Sequence, residues 1–261
     1  MRGKTQSASF PRWLWDLTLH LVSRDLRLRY RRSLLGYAWA LVLPAAQALV
    51  LIVVFQRIIP LDIEAFPAFL LAGLLPWTWF SSSLTAVCGT FHENREMFRQ
   101  PGFHPPLLVV SSVVSNLIVF VYSLPILLLV LALYGRFPGP SSLLLPVLLV
   151  LQSLLVVGLG VVLATLNVEY SDIGYLVSVA LNLLFYLTPV FYAPPSRETT
   201  FGLAYFANPV AGLIDSYRAI LFEGTVPSAY PMAVLSLAAA LSCLLAWWVW
   251  RRRESDVRDL V

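Results

Sequence analysis

Residues of the kinds that perform acid–base, nucleophilic or metal chemistry are few in this 261-residue chain, and they do not cluster. Its histidines are His20, His92 and His104, which we expect to be solvated or interfacial. The two cysteines, Cys88 and Cys243, are far apart and have no histidines grouped around them, so the sequence predicts no metal site. No P-loop, HExxH or paired carboxylates occur in the apolar stretches, so we predict no catalytic residues and no nucleotide site in this chain.

Aromatic rings are the chemical resource that the apolar stretches contain. Six of them are candidates for the wall of a translocation path: Tyr37, Trp39, Trp77, Trp79, Phe185 and Tyr186. Flat rings can stack against the C–H face of a sugar, and they also pack against one another. For any single ring, both interpretations stay open: a surface along which a glycan moves, or ordinary core and interface packing.

Six long stretches without Asp, Glu, Lys or Arg must position these rings. They are residues 33–56, 65–91, 105–135, 137–168, 173–196 and 224–250. Each exceeds the ~20 residues that a helix needs to cross a bilayer core, where a helix satisfies its own backbone hydrogen bonds. We predict an all-α membrane protein with spans near 35–58, 66–91, 107–133, 143–166, 173–192 and 230–250.

The domain organisation follows from these spans. The chain is 59% hydrophobic and only 12% charged. We predict one membrane domain over residues 1–261, with a cytoplasmic or interfacial helix in 1–34, the spans within 35–250 and a cytoplasmic tail at 251–261. The spans carry no ionisable residue near their middles, where ion-coupled carriers bind their coupling ion. A pump of this kind would receive its energy from a separate subunit.

The distribution of basic residues predicts the orientation. Fourteen of the 18 Lys and Arg residues lie in the N-terminal segment, in the 92–106 loop or in the C-terminal tail. The positive-inside rule then places both termini in the cytoplasm, with the protein in the cell membrane. A polar stripe that includes Asp16, His20, Arg24 and Arg27 predicts an amphipathic helix over residues 13–30 at the membrane surface. Since the basic residues flank spans, the predicted partners are membrane lipids, and no nucleic acid is expected.

The segment between the last two spans predicts a short helix on the outer side. Asn208 suits an N-cap and Pro209 the first turn, while Gly224 is a natural end. About 14 residues, or ~21 Å, are too few to span the membrane. We expect a re-entrant pair of half-helices; a helix on a surface loop is the alternative. Asp215 and Arg218, three residues apart, can pair on one face.

Two loops on the predicted cytoplasmic side are compact and charged. Residues 92–106 read HENREMFRQPGFHPP, and residues 167–174 read NVEYSDIG. Either loop can be a simple turn or a docking point for a partner.

Four segments of the chain together resemble one known family. They are the stretch 24–36 (RDLRLRYRRSLLG) followed by Trp39 and Pro44, the stretch 72–77 (AGLLPW), the stretch 167–173 (NVEYSDI), and the stretch 208–224. In order, they resemble the ABC-2 type permeases that export polysaccharides, and the similarity covers nearly the whole chain. The resemblance implies a six-span subunit that forms a homodimer and works with a cytoplasmic ATPase, which binds the ATP and Mg. The implied cargo is a lipid-linked glycan, such as an O-antigen, capsule or teichoic acid precursor.

The same resemblance implies residue roles. The docking residues for the ATPase would be Glu93, Arg95, Glu96, Arg99, Glu169 and Asp172. The outer gate would include Asn208, Pro209, Asp215 and Arg218. Two departures concern the docking loops, because Ser171 stands where the family often has a basic residue and Gln100-Pro101-Gly102 is untypical.

Two rival functions remain at this point. One keeps the fold but exports drugs or lipids. The other is a membrane-embedded, glycan-modifying enzyme, which requires polar catalytic residues at a membrane face. The prediction is a transport subunit that is not an enzyme.

Overall fold

The structure is a computed structural model that describes residues 10–30, 39–59, 61–98, 100, 102–194 and 200–260. Within these ranges all regular elements are helical, as predicted. They are α1 (Phe10–Tyr30), α2 (Trp39–Val53), α3 (Phe66–Glu93), α4 (Arg95–Phe98), α5 (Pro106–Leu133), α6 (Leu145–Glu169), α7 (Ile173–Leu187), α8 (Thr200–Ala207), α9 (Pro209–Arg218) and α10 (Ala229–Leu260). Turns of π-helix, Val54–Ile58 and Ala219–Glu223, extend α2 and α9, and a 3₁₀ turn, Pro140–Leu144, leads into α6.

Four helices among the described residues are long and apolar enough to cross a membrane. They are Phe66–Glu93, Pro106–Leu133, Pro140–Glu169 and Ala229–Leu260. Two further apolar helices, Val42–Ile58 and Ile173–Leu187, are shorter. The start of the first predicted span, residues 35–38, lies outside the described residues. The chain is therefore a multi-pass membrane protein in which four of the six predicted spans reach full length.

The fifth predicted span, 173–192, is shorter than expected because a proline follows it. α7 ends at Leu187, and Thr188 adopts extended backbone angles. A residue that precedes proline is disfavoured in the helical region, and Pro189 imposes that restriction on Thr188. The 15 residues of α7 span only ~22 Å.

α3 is the central helix of the bundle. All residues from Phe66 to Trp77 are buried, and α2, α5, α6, α7 and α9 surround the helix. Ala65, in the left-handed conformation, turns the chain into α3, and Pro67 suits its first turn because that position needs no backbone N–H partner. Pro44, Pro76 and Pro125 lie inside α2, α3 and α5, as the sequence indicates.

α6 and α10 make the most extensive helix pair, and a glycine permits their close crossing. A Cβ atom on Gly158 would lie 2.7 Å from the Cys243 backbone nitrogen. Small residues at such crossings let helix backbones approach within a membrane.

The predicted C-terminal tail, 251–261, is helical in its described part. α10 continues without a break from the sixth predicted span, 230–250, to Leu260. Within this extension Arg258 forms an ion pair with Glu254 at 3.0 Å. Arg258 also donates to the carbonyl oxygens of Phe98 and Phe103, and Val257 is buried, which holds the extension against the bundle.

α1 is the predicted amphipathic helix, and it packs against α5. Leu21 and Val22 are buried, whereas Trp15 and Leu28 are exposed and available to lipid. The guanidinium of Arg24 donates to the side-chain oxygen of Asn94, which joins α1 to the loop after α3.

Several contacts gather the charged loops at one end of the bundle. The Asn167 amide donates to the Cys88 carbonyl oxygen at 2.9 Å, and Arg253 forms an ion pair with Glu169. We call the end that holds α4, the 167–174 turn and the end of α10 the basic end. The opposite end holds α8 and α9, which we call the hairpin.

Candidate functional site

A groove of about 520 Å³ lies between α2, α3, α5 and α7. One wall is a stripe of hydroxyl groups on α3, formed by Thr78, Ser81, Ser82 and Thr85. Their spacing of three or four residues places them on one helix face. The facing walls contribute Gln47, Asn116, Ser178 and Asn182, and Trp77 lies on the α3 wall. Most of the wall surface is apolar, because this ring and the side chains of Leu43, Ala86 and Leu181 complete the described lining. Uncharged groups that can form hydrogen bonds are thus set along a mainly apolar groove.

The hydroxyl stripe needs no ligand to be satisfied. Thr78 and Thr85 donate to the carbonyl oxygens of Leu74 and Ser81 at 2.8 and 3.0 Å. Such bonds to the preceding helical turn are typical of Ser and Thr within helices. The hydroxyl oxygens keep lone pairs that can accept hydrogen bonds from a ligand. The groove can thus bind hydroxyl groups weakly and release them without leaving buried groups unpaired.

Among the described residues, the one charged residue in the groove lining is Arg29, toward the basic end. Its guanidinium donates to the Asn116 side-chain oxygen at 2.8 Å and lies 3.6 Å from the Asp25 carboxylate. Arg29 also lines a second cavity of about 370 Å³ between α1, α3 and α5. The positive charge at this end of the groove thus comes from α1, the amphipathic helix.

The structure brings one of the predicted path rings, Trp77, to the groove wall. Trp79 is buried on a different face of α3, where it stacks on Phe120 with ring centroids 5.2 Å apart. Phe185 packs against Trp77, while Trp39 and Tyr186 are exposed outside the groove lining. Tyr37 lies outside the described residues.

The hydroxyl and amide residues of the groove are absent from the set of predicted path residues. The regular spacing of Thr78, Ser81 and Thr85 was a signal in the sequence that could have revealed the α3 wall. The contributions of Gln47 and Asn182 depend on how α2 and α7 pack, which the sequence does not show.

A buried arginine holds the hairpin against the bundle. The Arg218 guanidinium donates to the carbonyl oxygens of Pro189 and Val190, both at 2.6 Å, and lies 3.6 Å from the centre of the Phe69 ring. The predicted pairing with Asp215 is not found, because no ion pair joins the two among the described residues. The two carbonyl groups follow the end of α7, so the clamp joins the hairpin to that chain segment.

A glycine makes room for this clamp on α3. A Cβ atom on Gly73 would lie 2.8 Å from Arg218 Nη2 and 3.1 Å from the Val190 carbonyl oxygen. Gly73 belongs to the AGLLPW stretch (72–77). This motif therefore has a structural role, because it leaves the space in which the hairpin packs against α3.

Asp215 has a different partner from the one expected. Its carboxylate accepts a hydrogen bond from the Tyr205 hydroxyl, which joins α8 to α9. Burial raises the pKa of the Asp215 carboxyl, while the Tyr205 hydrogen bond and the Arg218 charge act in the opposite direction. Burial also raises the pKa of Tyr205, so its hydroxyl stays protonated and serves as the donor.

A buried polar chain connects the hairpin with α3 and α6. The Tyr217 hydroxyl donates to Gln152 Oε1 at 3.0 Å, and Gln152 Nε2 donates to the Pro76 carbonyl oxygen at 3.1 Å. Both side chains are fully buried. Since a buried polar group that loses its partner is costly, this chain fixes the orientation of α9.

The local signals of the hairpin are confirmed. The Asn208 side chain caps α9 by accepting from the Val210 backbone N–H at 2.9 Å, and Pro209 occupies the first position. Gly224 ends the π turn with φ of +68°. Most α9 side chains are buried, so this helix is part of the bundle and not of a detached surface loop.

Five of the six predicted docking residues are described by the structure, and these five lie at the basic end. Glu93, Arg95, Glu96 and Asp172 are exposed, whereas Arg99 lies outside the described residues. Arg95 Nη2 lies 3.0 Å from His92 Nδ1, and Glu169 is already paired with Arg253. Among the described residues no group of three or more His, Cys, Asp or Glu side chains could hold a metal ion.

Comparisons with known proteins extend this description. Residues 16–222 match the ABC-2 type transporter family. The chain is 36% identical over 233 residues to the O-antigen export system permease protein RfbA of Myxococcus xanthus, which covers 88% of both chains. A protein of the same name from Klebsiella pneumoniae is 30% identical over 84% of this chain and 85% of its own. The polysialic acid transport protein KpsM of Escherichia coli is 23% identical over 90% of this chain and 92% of its own.

Proposed function

The chain belongs to the ABC-2 type transporter family, and on that premise we propose that it is the membrane subunit of an ATP-driven exporter of a lipid-linked polysaccharide. It is a transport component and not an enzyme. Its relatives carry the names of O-antigen and polysialic acid export proteins. ATP and Mg would be bound by the partner ATPase.

The lining of the groove is the structural observation that favours a glycan as cargo. Among the described residues, eight uncharged hydrogen-bonding side chains and the Trp77 ring lie along a mainly apolar groove with one charged residue, Arg29. Sugar hydroxyls match such a wall, and each hydrogen bond contributes only about 0.5–1.5 kcal/mol net. Weak and repeated contacts let a long chain slide, which a few strong sites would prevent.

The partner ATPase would transmit the energy of ATP hydrolysis to this chain at the basic end. We place the ATPase against the exposed residues Glu93, Arg95, Glu96 and Asp172, with Glu169 beside them, and we keep Arg99, which lies outside the described residues, as a predicted docking residue. The end of α10 and the side chain of Arg24 in α1 contact the loop that holds α4. A displacement of α4 would therefore be transmitted to both α1 and α10. The basic character of this end supports a cytoplasmic location for both termini in the inner membrane.

The proposed membrane arrangement has six passes and a dimer. α2 and α7 would serve as the first and fifth passes, and the hairpin, too short to cross, would dip into the outer leaflet as a re-entrant pair. The groove is open on one side, so a second copy of the chain would complete its wall. Asn208, Pro209, Asp215 and Arg218 would act at the outer gate, where the Arg218 clamp keeps the hairpin closed.

Blocking the groove tests this proposal. In cells that depend on this transporter, the double substitution Ser81→Leu and Thr85→Leu should strongly reduce surface polysaccharide while the protein remains in the membrane. The matched control is Ser236→Leu, an exposed α10 serine whose hydroxyl makes the same kind of bond to the preceding turn, at 2.7 Å. Normal surface polysaccharide after deletion of the whole chain would contradict the proposal and favour export of drugs or lipids.

A further inference from the structure

A separate cavity of about 320 Å³ opens at the hairpin end, and it shares no lining residue with the groove. It lies between the hairpin, the start of α3 at Phe69 and the start of α10 at Pro231. Both helices begin within four residues of these positions. Because spans begin near the membrane boundary, the cavity lies at the level of lipid headgroups. Its volume falls within the range of about 300–1,000 Å³ that is common for small-ligand sites.

Among the described residues, three charged side chains line this cavity: Arg218, Asp215 and Glu223. Arg218 is only 3% exposed. Its two terminal nitrogens are occupied by the carbonyl oxygens of Pro189 and Val190, but its Nε is buried and has no hydrogen-bond partner among the described residues. A buried charged donor without an acceptor is unusual and calls for a missing one. One donor of the Arg218 guanidinium, its Nε, is thus left without a partner among the described residues.

The two carboxylates offer the opposite charge in the same space. Asp215 gives one oxygen to Tyr205, and Glu223 is exposed on the π turn that follows α9. The Thr225 hydroxyl lies 3.4 Å from Glu223 Oε2. One cation beside two anions suits a zwitterion with a phosphate and a cationic amine, whereas an anionic headgroup would meet two uncompensated carboxylates.

We propose that this cavity binds the phosphoethanolamine headgroup of a phospholipid. The positive charge of the Arg218 side chain in the wall attracts the phosphate oxygens, and the primary ammonium donates to Asp215 and Glu223. Phe69 and Pro231 provide an apolar wall for the part of the lipid next to the headgroup. The assignment of this site to the outer leaflet rests on the orientation given under Proposed function. The rest of the proposal does not depend on that orientation.

The ammonium accounts for the choice of lipid. A primary ammonium has three N–H donors, which two carboxylates can accept, and charge-assisted hydrogen bonds of this kind are strong. A choline headgroup carries the same charge but has no N–H donor. The site should therefore distinguish two zwitterionic lipids that differ only in methylation of the amine.

Lipid retention measured by native mass spectrometry of the full chain tests the proposal. The protein is taken from vesicles that contain phosphatidylethanolamine and phosphatidylcholine in equal amounts. We expect phosphatidylethanolamine to be retained about tenfold more, the ratio that one charge-assisted hydrogen bond supplies. Asp215→Asn and Glu223→Gln should each abolish most of this preference. The matched control is Glu64→Gln, since Glu64 pairs with Arg136 at the same end and does not line the cavity.

The outcomes decide in both directions. Equal retention of the two lipids by the unaltered protein, or an unchanged preference in Glu223→Gln, overturns the proposal. Glu223 is exposed, so its substitution should leave the fold intact and decide the matter even where Asp215→Asn reduces stability. Displacement of the bound lipid by a soluble oligosaccharide would instead assign the cavity to the glycan. Because this measurement involves neither ATPase nor transport, its failure would leave the proposed export function untouched.

Discussion

At the scale of single residues, Gly73 sets the distance between α3 and the hairpin. Gly73→Ala would place a methyl group 2.8 Å from Arg218 Nη2, and the Val190 carbonyl oxygen leaves no room on the other side. We expect a loss of about 1–3 kcal/mol in unfolding free energy, as for other overpacked sites. Thermal unfolding in detergent measures it. Gly174→Ala is the control, since its Cβ would meet only Asn167 Oδ1 at 3.6 Å, and an equal loss there would contradict this account.

Tyr217 provides a second residue-scale prediction. Tyr217→Phe removes the hydroxyl that donates to Gln152 Oε1. The substitution leaves this buried amide oxygen without its hydrogen-bond partner. The expected cost is about 1–3 kcal/mol in unfolding free energy. In Tyr192→Phe the lost hydroxyl bonds to the Tyr186 carbonyl oxygen in an exposed setting, so the change should be smaller. Equal melting temperatures for the two variants would show that the buried polar chain is not stabilising.

Local signals made part of this detail predictable. The Asn208 cap and the Gly224 stop depend on backbone geometry within a few residues, so the sequence indicates both. The partners of Arg218 lie 28 and 29 residues away, on carbonyl groups that any residue type could supply. Spacing along one helix suggested Asp215 instead, and no sequence pattern marks a bond to a distant backbone oxygen.

At the scale of elements, the crossing of α6 and α10 depends on Gly158. Gly158→Leu would push the two helices apart, because even a Cβ atom would meet the Ser242 and Cys243 backbone. Since the backbone of a helix cannot yield as a flexible side chain can, we expect more than about 3 kcal/mol of destabilisation and little folded protein in the membrane. Size-exclusion chromatography of detergent extracts measures this loss. Gly174→Leu, at a position where a Cβ atom would make only one ordinary contact, with Asn167 Oδ1 at 3.6 Å, should remain extractable as folded protein.

The extension of α10 at the basic end is expected to matter for coupling. Arg258→Ala removes the donor to the Phe98 and Phe103 carbonyl oxygens and frees the loop that carries α4. The loop would then have to be ordered when the ATPase binds, so we expect about tenfold weaker affinity for the ATPase, the equivalent of one charge-assisted hydrogen bond that no longer orders the loop. Co-purification and binding titration measure this affinity. In the control, Arg252→Ala, the lost guanidinium lies over the Trp248 ring of the same helix and forms no hydrogen bond to the described part of the loop, so unchanged binding is expected there.

The charge-free stretches predicted where helices occur, because lipid imposes that composition on any span. They did not predict where α7 and α10 end. Thr188 leaves the helix ahead of Pro189, within an apolar stretch. α10 continues into a charged stretch because Arg258 and Val257 find partners in the bundle. The sequence patterns did not predict the groove for a related reason. Its walls belong to four helices, and their relative packing cannot be predicted from the sequence of any single helix.

At the scale of the whole molecule, the described bundle has a groove with uncharged polar side chains in its wall, a hairpin held by Arg218 at one end and charged loops at the other. Of the 15 buried polar or charged residues among those described, only Arg218 is charged, so the described core has little with which to bind a coupling ion. A chain of this kind moves cargo only when a partner changes its shape. The central claim is therefore that export depends on the ATPase.

Transport in a reconstituted system tests that claim most directly. The chain and its ATPase are placed in vesicles with lipid-linked glycan, and the glycan that reaches the opposite side is measured after ATP is added. We predict export with the active ATPase and none with an ATPase that binds ATP but cannot hydrolyse it. Export at a normal rate with the inactive ATPase, or by the chain alone, would contradict the account.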